Sequence, residues 1–357
     1  MPGIGPLNRK TLKKTLLVSV KVGVPLAILG FLMWNARQDG DFQDLVSQPK
    51  KWGLLIAAWF ACAGAVTLTI VRWYLLVRAI DLPFTIRDAF RLGFLGYLFN
   101  LAPMGIVGGD VLKAVALARN HPNNQLEAVA TVALDRMIGL YTLFVVASVA
   151  MMATGFLEIA DWTEARRIVG VELTTAISTA CRLTPAATAI VTVLIAVLLM
   201  RDVSQGRTTR MLARIPYAGH TISQLANAVK LYRRKRHVLL VAAVMSVAVH
   251  SLFTLGIFLI ANGLYPHAPS LSLHFVISPL SASTGAIPLM AGPFEVVLQV
   301  LYTCFPMGEG IVTPSGLIVA LSYRIVTVLI AAIGICYYLA GRAEVVELLH
   351  ETEGVEA

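Results

Sequence analysis

The feature that most constrains this chain is a series of apolar runs about 20 residues long, the length at which a helix crosses the hydrocarbon core of a bilayer. Only 14% of the 357 residues are charged and 57% are hydrophobic, whereas soluble domains carry roughly 25% charged residues. No soluble domain large enough to work by itself is indicated. We therefore predict an all-α polytopic integral membrane protein. Six runs predict full spans, at about residues 15–34, 52–72, 127–154, 184–200, 237–262 and 315–340.

Two further apolar stretches, at about residues 90–112 and 275–305, are interrupted by glycine, proline and polar residues. Irregular backbone at membrane depth is tolerated only where it is buried in protein or lines a cavity, because its freed polar groups are costly in hydrocarbon. We therefore predict two re-entrant broken-helix hairpins. The residues expected to shape their backbone are Asn100, Pro103, Gly108 and Gly109 in the first hairpin, and Pro288, Gly292 and Pro293 in the second.

The charges of the loops predict the topology. Cytoplasmic loops are rich in Lys and Arg, and loop 201–236 carries nine such residues against one acid, Asp202. The basic loops all fall on the cytoplasmic side only if the first hairpin enters the membrane from the cytoplasm and the second enters from the opposite face. We expect one transmembrane domain over residues 1–342 in the plasma (inner) membrane, with both termini cytoplasmic and a short acidic tail at 343–357.

Loop 201–236 also contains apolar residues spaced by three and four, followed by Arg233-Arg234-Lys235-Arg236. This pattern favours an amphipathic helix lying on the cytoplasmic leaflet, where anionic lipid attracts its basic cluster. A short helix packed on the core is the alternative. No nucleic-acid partner is expected, because no recognisable binding fold accompanies the basic cluster.

Sequence motifs of common enzymes are absent. The chain contains no GxxxxGK[ST], HExxH or GxSxG motif, which argues against ATP-driven pumping, zinc hydrolysis and serine hydrolysis. The four cysteines lack metal-ligand spacing and are read as small buried hydrophobes. We expect no metal and no cofactor, and catalysis is not indicated.

The two broken stretches are similar to each other. In each, a proline stands seven residues before an acid, Pro103 before Asp110 and Pro288 before Glu295, and a glycine lies within three residues before the acid. Interrupted apolar segments at corresponding positions of two halves indicate a transporter binding site. Since the hairpins are expected to enter from opposite faces, the repeat is expected to be inverted.

Ionisable residues at membrane depth are rare, because a charge at the bilayer centre costs at least about 2.5–3.5 kcal/mol. The candidates for lipid binding or coupling are Asp110, Lys113, Asp135, Arg136, Glu295 and Arg324. Asp110 either caps a helix N-terminus or faces a polar cavity, and Glu295 either complements a helix dipole or has a substrate or proton role. Asp135 and Arg136 are neighbours on one helix and cannot face each other, so each is expected to pair with another helix.

The cationic candidates suit a phosphate. Arg324 lies inside the last predicted span, and a guanidinium binds phosphate through two parallel hydrogen bonds. Lys113 either assists from the cytoplasmic edge or only extends its amine to the interface. His250, near the middle of a span, is read as a hydrogen-bonded interior residue in preference to a proton carrier.

Several short motifs follow one another in a specific order: residues 100–103, 108–113 and 135–140, the Pro288…Gly292…Glu295 element, and Tyr323-Arg324. In this order and spacing, the chain resembles the lysylphosphatidylglycerol synthase transmembrane (flippase-like) family from about residue 15 to 342. Members include the membrane half of the multiple peptide resistance factor, which is thought to move aminoacylated phosphatidylglycerol between leaflets. Other members stand alone.

The resemblance implies a lipid flippase-like transporter that moves a phospholipid or a modified lipid between leaflets of the plasma membrane. Its partner would be an anionic or aminoacylated phospholipid. The sequence carries no soluble aminoacyl-transferase domain, so lipid synthesis is not expected. The alternatives are a membrane enzyme that transfers a group to or from a lipid, and an accessory subunit of a lipid-modifying complex. A homodimer and a separate lipid-modifying enzyme are both left open as protein partners.

Overall fold

The computed structural model describes residues 49–100, 105–199, 235–287, 291–305 and 314–340, together with a few positions between 30 and 46. The described residues form helices and contain no strand. From residue 49 onward the α-helices are α1 (Trp52–Ala79), α2 (Ile86–Phe99), α3 (Gly105–Asn120), α4 (Gln125–Thr154), α5 (Phe156–Ile159), α6 (Thr163–Val169), α7 (Val171–Leu199), α8 (Arg236–Leu264), α9 (Leu271–Ser283), α10 (Pro293–Thr303) and α11 (Gly316–Ala340).

Within the described ranges, five helices are long and apolar enough to cross a membrane: α1, α4, α7, α8 and α11. They correspond to five of the six predicted spans, and the predicted span at 15–34 lies almost entirely outside the described residues. Two predicted boundaries were wrong. Helix α1 continues to Ala79, beyond the predicted end near residue 72. Helix α7 begins at Val171 and not near residue 184.

Each broken stretch forms two short helices joined by a break, α2 with α3 and α9 with α10. These four helices have 14, 16, 13 and 11 residues. At 1.5 Å per residue, each extends about 17–24 Å, which is less than the roughly 30 Å of the hydrocarbon core. The two arms of each hairpin lie side by side, as hydrogen bonds join Asn100 to Gly109 in the first and His274 to Tyr302 in the second.

The hairpins differ from the prediction in two details. The first is longer than residues 90–112, because its arms run from Ile86 to Asn120. Pro279, one of the prolines of the broken stretch 275–305, lies inside α9 and does not interrupt it. A proline removes one helical hydrogen bond, and the buried neighbours Ile277 and Leu280 hold this helix in place by packing.

Both first arms begin with a hydroxyl cap. Thr85 Oγ1 accepts the Asp88 N–H at 3.1 Å, and Ser270 Oγ accepts the Leu273 N–H at 3.4 Å. Such side chains satisfy N–H groups of the first turn that have no partner within the helix. The caps fix where each hairpin begins after the long helix that precedes it.

A constant shift along the sequence relates the two halves of the chain. Adding 185 residues carries Thr85 to Ser270 and Asp110 to Glu295. The same shift places the first residues of α1 and α2 within one residue of those of α8 and α9. Two units of the chain therefore share the order long helix, short helix, short helix, long helix. The first unit is α1–α4 and the second unit is α8–α11.

The two units pack on each other reciprocally. Helix α1 lies along α8, while α2 packs on α11 and α9 packs on α4. Small residues allow the close approach of α1 and α8, because Gly256 faces Cys62 and Gly263 faces Leu55. Residue numbers fall in α8 as they rise in α1, so the two helices are antiparallel. Reciprocal contacts of this kind are what a twofold relation between two units produces.

Candidate functional site

A cavity of about 410 Å³ lies between the two units and is lined by residues of both. Its volume falls within the range of ligand sites, about 300–1,000 Å³. The cationic residues that line it are Arg72, Lys113, Arg136 and Arg324. Among the described residues, Asp135 is the one carboxylate in the lining. The site residues predicted from sequence thus converge on this cavity, with Asp110 and Glu295 bound to residues of its wall.

Arg72 of α1 forms a buried ion pair with Asp135 of α4. Its Nε and Nη2 atoms donate to the two carboxylate oxygens at 2.7 and 3.0 Å, and its Nη1 donates to Ser246 Oγ of α8 at 2.5 Å. Arg72 is only 4% exposed, and a charge so buried requires a partner. Sequence reasoning missed Arg72, because an arginine at the end of an apolar run is typical of a loop.

In the first unit, Asp110 of α3 pairs with Arg136 of α4 and lies 3.7 Å from Nζ of Lys113. The interpretation of Asp110 as a helix cap was wrong, because α3 already begins at Gly105 and places the acid in its second turn. Two cations share this one carboxylate, so the wall of the cavity keeps a surplus of positive charge.

In the second unit, Glu295 of α10 pairs with Arg324 of α11. Its Oε1 accepts from Nε of Arg324 at 2.7 Å, and its Oε2 accepts the Gly292 N–H at 2.6 Å. Gly292 has a φ of 104°, a conformation that favours glycine. Pro293 is the first residue of α10, where its missing N–H removes no helical bond. The side chain of Arg324 is 33% exposed and that of Glu295 is 0% exposed. The carboxylate therefore binds the buried side of the guanidinium and leaves the other side exposed.

The two hairpins carry equivalent ion pairs. In each unit, an acid on the second short helix pairs with an arginine on the long helix that follows, Asp110 with Arg136 and Glu295 with Arg324. Both arginines line the cavity. These equivalent pairs therefore each supply a guanidinium, one from each unit, to the same cavity.

A hydrogen bond to a side-chain amide joins the two arms of the first hairpin. Asn100 Oδ1 accepts the Gly109 N–H at 3.2 Å, next to Gly108 in α3. Gly109 lies so close to the carbonyl oxygen of Gly96 that a Cβ would overlap with it. Two further residues expected to shape the hairpins lie outside the described residues, Pro103 and Pro288.

We expect Gly109→Ala to lower the free energy of unfolding by about 1–3 kcal/mol, the usual cost of overpacking. The added methyl group would meet the Gly96 carbonyl and the Asn100 side chain, and backbone cannot move aside without parting the two arms. Thermal unfolding in detergent measures the effect. Gly53→Ala is the matched control, because nothing lies within 4 Å of its added Cβ. Equal melting temperatures for the two variants would contradict the close approach.

Two hydroxyls of the cavity wall have no hydrogen-bond partner among the described residues, Thr254 Oγ1 of α8 and Ser278 Oγ of α9. The residues are 1% and 3% exposed. Hydroxyls in helices ordinarily donate to a carbonyl one turn earlier, as Ser251 of α8 does to Val247 at 2.9 Å. A buried polar group without a partner costs roughly 1–3 kcal/mol, so these two hydroxyls lower the stability of the packing around them.

His250 also lines the cavity, and its Nε2 lies 2.9 Å from the Gly139 carbonyl oxygen. This contact matches the interior, hydrogen-bonded role given to it from sequence. No cluster of three or more His, Cys, Asp or Glu residues that could hold a metal occurs in the described part of the chain.

The long apolar helices and the charged cavity between the two units are features of a multi-pass α-helical membrane protein. The family described as "Lysylphosphatidylglycerol synthase TM region" matches residues 17–334. The chain therefore belongs to this family, as its motifs indicated. A search of curated proteins found no match. Membership associates the protein with the modification or transport of lipids in membranes.

Proposed function

We propose that the protein moves an anionic phospholipid between the two leaflets, holding the headgroup in the cavity while the acyl chains stay in the bilayer. One observation carries this proposal: a cavity between the two units is lined by four cationic side chains. Guanidinium groups recognise phosphate through paired hydrogen bonds. An acyl chain needs no such lining, since it is soluble in the surrounding hydrocarbon.

The charge balance of the site supports an anionic ligand. The cations of the lining and the carboxylates that pair with them are Arg72, Lys113, Arg136 and Arg324 against Asp110, Asp135 and Glu295. Four cations against three carboxylates leave one positive charge. Such a charge interacts more strongly in a low-dielectric site than in water, and a phosphate would neutralise it.

We assign Asp110 and Glu295 to positioning the arginines. Each carboxylate is already bound to cations of the wall, and Glu295 is fully buried. A direct contact with a cationic headgroup would require breaking these pairs. The assignment therefore favours an anionic phospholipid over an aminoacylated one.

We infer that the repeat is inverted and that the hairpins are re-entrant. Helices α1 and α8 are equivalent by the shift of 185 residues, yet they run antiparallel, as the contacts of Leu55 with Gly263 and of Cys62 with Gly256 require. If both helices cross the membrane, one unit is upside down relative to the other. The short hairpin arms would then open to opposite faces. Such repeats suit alternating access, in which a fixed site at the repeat interface is exposed to each side in turn.

The remaining topological assignments stay predictions. The charge pattern predicts that loop 201–236 and both termini are cytoplasmic, and the plasma membrane stays the expected location. The amphipathic helix expected in this loop and the acidic tail at 343–357 lie outside the described residues. Glycosylation-site mapping of engineered loops would test the orientation.

Leaflet exchange of acyl-labelled phospholipids in proteoliposomes tests the proposed function. We expect the protein to exchange labelled phosphatidylglycerol about tenfold or more faster than phosphatidylcholine. Both lipids carry the phosphate, but the quaternary ammonium of choline would add a positive charge beside the cations of the cavity, and like charges repel more strongly there than in water. Liposomes with heat-unfolded protein are the control. No acceleration for any phospholipid would overturn the proposal. A covalently altered lipid, found by mass spectrometry after the same incubation, would support the membrane-enzyme alternative.

A further inference from the structure

We infer that Lys113 and Arg136 together form a subsite for a terminal phosphate, and that the cavity therefore prefers a phosphomonoester headgroup to a phosphodiester headgroup. The inference rests on the proposed transport of an anionic phospholipid and specifies the chemical class of its headgroup. A phosphomonoester lipid, such as phosphatidic acid, carries three phosphate oxygens that are not esterified. A phosphodiester lipid carries two.

The first step is the position of the surplus positive charge of the cavity. Each of the three arginines in the lining donates a hydrogen bond to a carboxylate of its own. Lys113 is the fourth cation, and its Nζ lies 3.7 Å from Asp110 Oδ1, which is beyond hydrogen-bond distance. Although its side chain is only 11% exposed, this ammonium has no hydrogen bond among the described residues. Its three N–H groups are therefore available to an anion in the cavity.

The second step is the packing that holds Lys113 in the cavity wall. Its stem crosses α2 at Gly96, where an added Cβ would lie 2.6 Å from Cε of the lysine. Its Nζ lies 5.5 Å from the centre of the Trp73 ring, within the distance at which a ring face attracts a cation. Gly96 leaves room for the stem and Trp73 attracts the charge, and neither contact uses an N–H group of the ammonium in a hydrogen bond to oxygen.

The third step is the free edge of Arg136, whose side chain is 41% exposed. Its Nε donates to Asp110, and its Nη atoms have no hydrogen bond among the described residues. A guanidinium has five N–H groups, so four of them remain for a ligand. Lys113 and Arg136 contact the two oxygens of the same carboxylate, so one small anion in the cavity can contact both.

The fourth step is the number of phosphate oxygens that such a pair can use. A guanidinium binds two phosphate oxygens in parallel. In a phosphodiester these are both of the free oxygens, and none is left for Lys113 alone. A phosphomonoester offers its third oxygen to the ammonium, and its charge of about −1.5 to −2 at pH 7 strengthens the attraction to the surplus positive charge.

The second unit lacks the lysine of this subsite. The shift of 185 residues that relates Asp110 to Glu295 carries Lys113 to Leu298, which is 0% exposed. Arg324 therefore has no lysine at the corresponding position. The preference for a terminal phosphate should depend on the first unit, and replacing Lys113 by an apolar residue should make the two units alike.

The test compares phosphatidic acid with its methyl ester, phosphatidylmethanol, in short-chain forms with the same acyl chains. We expect native mass spectrometry of the detergent-solubilised natural protein at neutral pH to show about tenfold or more tighter binding of phosphatidic acid, the effect of one further hydrogen bond to a charged group. Lys113→Met should bring this ratio close to one. The variant leaves Asp110 paired with Arg136, so no buried charge loses its only partner. Lys235→Met is the matched control, because Lys235 binds Asp81 at 2.8 Å outside the lining and its loss should leave the ratio unchanged.

The contrary outcomes are distinct from a failure of transport. Equal binding of the two lipids by the natural protein, or a preference that Lys113→Met leaves intact, would overturn the inference. Inorganic phosphate is the third probe: if it displaces phosphatidic acid at equal concentration, the subsite serves a soluble phosphate and the inference for lipids is wrong. A preference that depends on Lys113, in a protein that exchanges no lipid in proteoliposomes, would support the inference while the proposed transport fails. Exchange of both lipids at one rate, with equal binding, would leave transport standing without this subsite.

Discussion

Arg72→Met is expected to lower the free energy of unfolding by about 3–5 kcal/mol, the cost of removing one member of a buried ion pair. Methionine also has a long, unbranched side chain, but it leaves the charged carboxylate of Asp135 without its guanidinium partner. It also removes the donor to Ser246, so contacts among α1, α4 and α8 are lost together. Denaturant titration of the protein in mild detergent measures the change.

A double variant distinguishes the cost of an unpaired charge from the net value of the pair. We expect Arg72→Met with Asp135→Leu to recover most of the lost stability, because hydrophobic residues of similar volume often replace a buried pair without cost. Arg167→Ala is the matched control for removing an arginine from an exposed pair: Arg167 binds Glu164 at 3.0 Å with a side chain that is 73% exposed. Its effect should stay below about 1 kcal/mol.

Two outcomes of this comparison would contradict the predicted role of the Arg72–Asp135 pair. If Arg72→Met unfolds no more easily than Arg167→Ala, Asp135 must gain another partner or a proton without cost. The pair would then not fix the three helices. If the double variant is as unstable as the single one, packing or the bond to Ser246 would dominate over the charge.

Hydropathy predicted most of the long helices because a lipid-facing helix needs an apolar surface on all sides. It failed for the first half of α7, where threonine and serine lower the hydropathy of residues 171–184. The structure shows why a helix still forms there. Thr174 donates to Gly170 and Thr184 donates to Ala180, each at 2.8 Å. A hydroxyl satisfied by its own helix needs no water, so composition alone underestimates the length of such a helix.

The spacing of residues in the sequence could predict where the candidate site lies, but not which charged side chains form ion pairs there. The proline, glycine and acid at matching offsets indicated where each chain half breaks, because these residue types have specific backbone requirements. The partner of an ion pair depends on packing between helices that lie far apart in sequence. Asp135 and Arg136 are adjacent, yet they bind Arg72 and Asp110 on two different helices. The unpartnered hydroxyl of Thr254 is likewise invisible to sequence, since a threonine in a helix ordinarily finds its own carbonyl.

Arg324→Gln combined with Glu295→Gln is expected to slow the exchange of phosphatidylglycerol by about 100-fold or more. The double variant removes a guanidinium whose two hydrogen bonds to a phosphate would contribute about 1.5–3 kcal/mol each. Arg324→Ala alone is a poorer test, because it leaves the fully buried Glu295 without a counter-charge and so destabilises the protein. In the double variant, the amide oxygen of the new glutamine can still accept the Gly292 N–H at the start of α10.

Arg324→Lys separates charge from geometry at the same position. Lysine keeps the positive charge and a bond to Glu295, but it lacks the planar fork that binds two phosphate oxygens at once. We expect an intermediate rate, about tenfold below the natural protein, since one of two charge-assisted bonds is lost. Melting temperatures of both variants should stay close to that of the natural protein.

The order of the rates decides the role of the Glu295–Arg324 pair. If the natural protein exchanges lipid faster than Arg324→Lys, and Arg324→Lys exchanges it faster than the neutral double variant, the exposed part of this guanidinium contacts the lipid phosphate. If the folded double variant exchanges lipid at the natural rate, the pair only anchors α10 to α11. The headgroup would then have to depend on Lys113 and Arg136 of the first unit, and the two halves of the repeat would have different tasks despite their equivalent ion pairs.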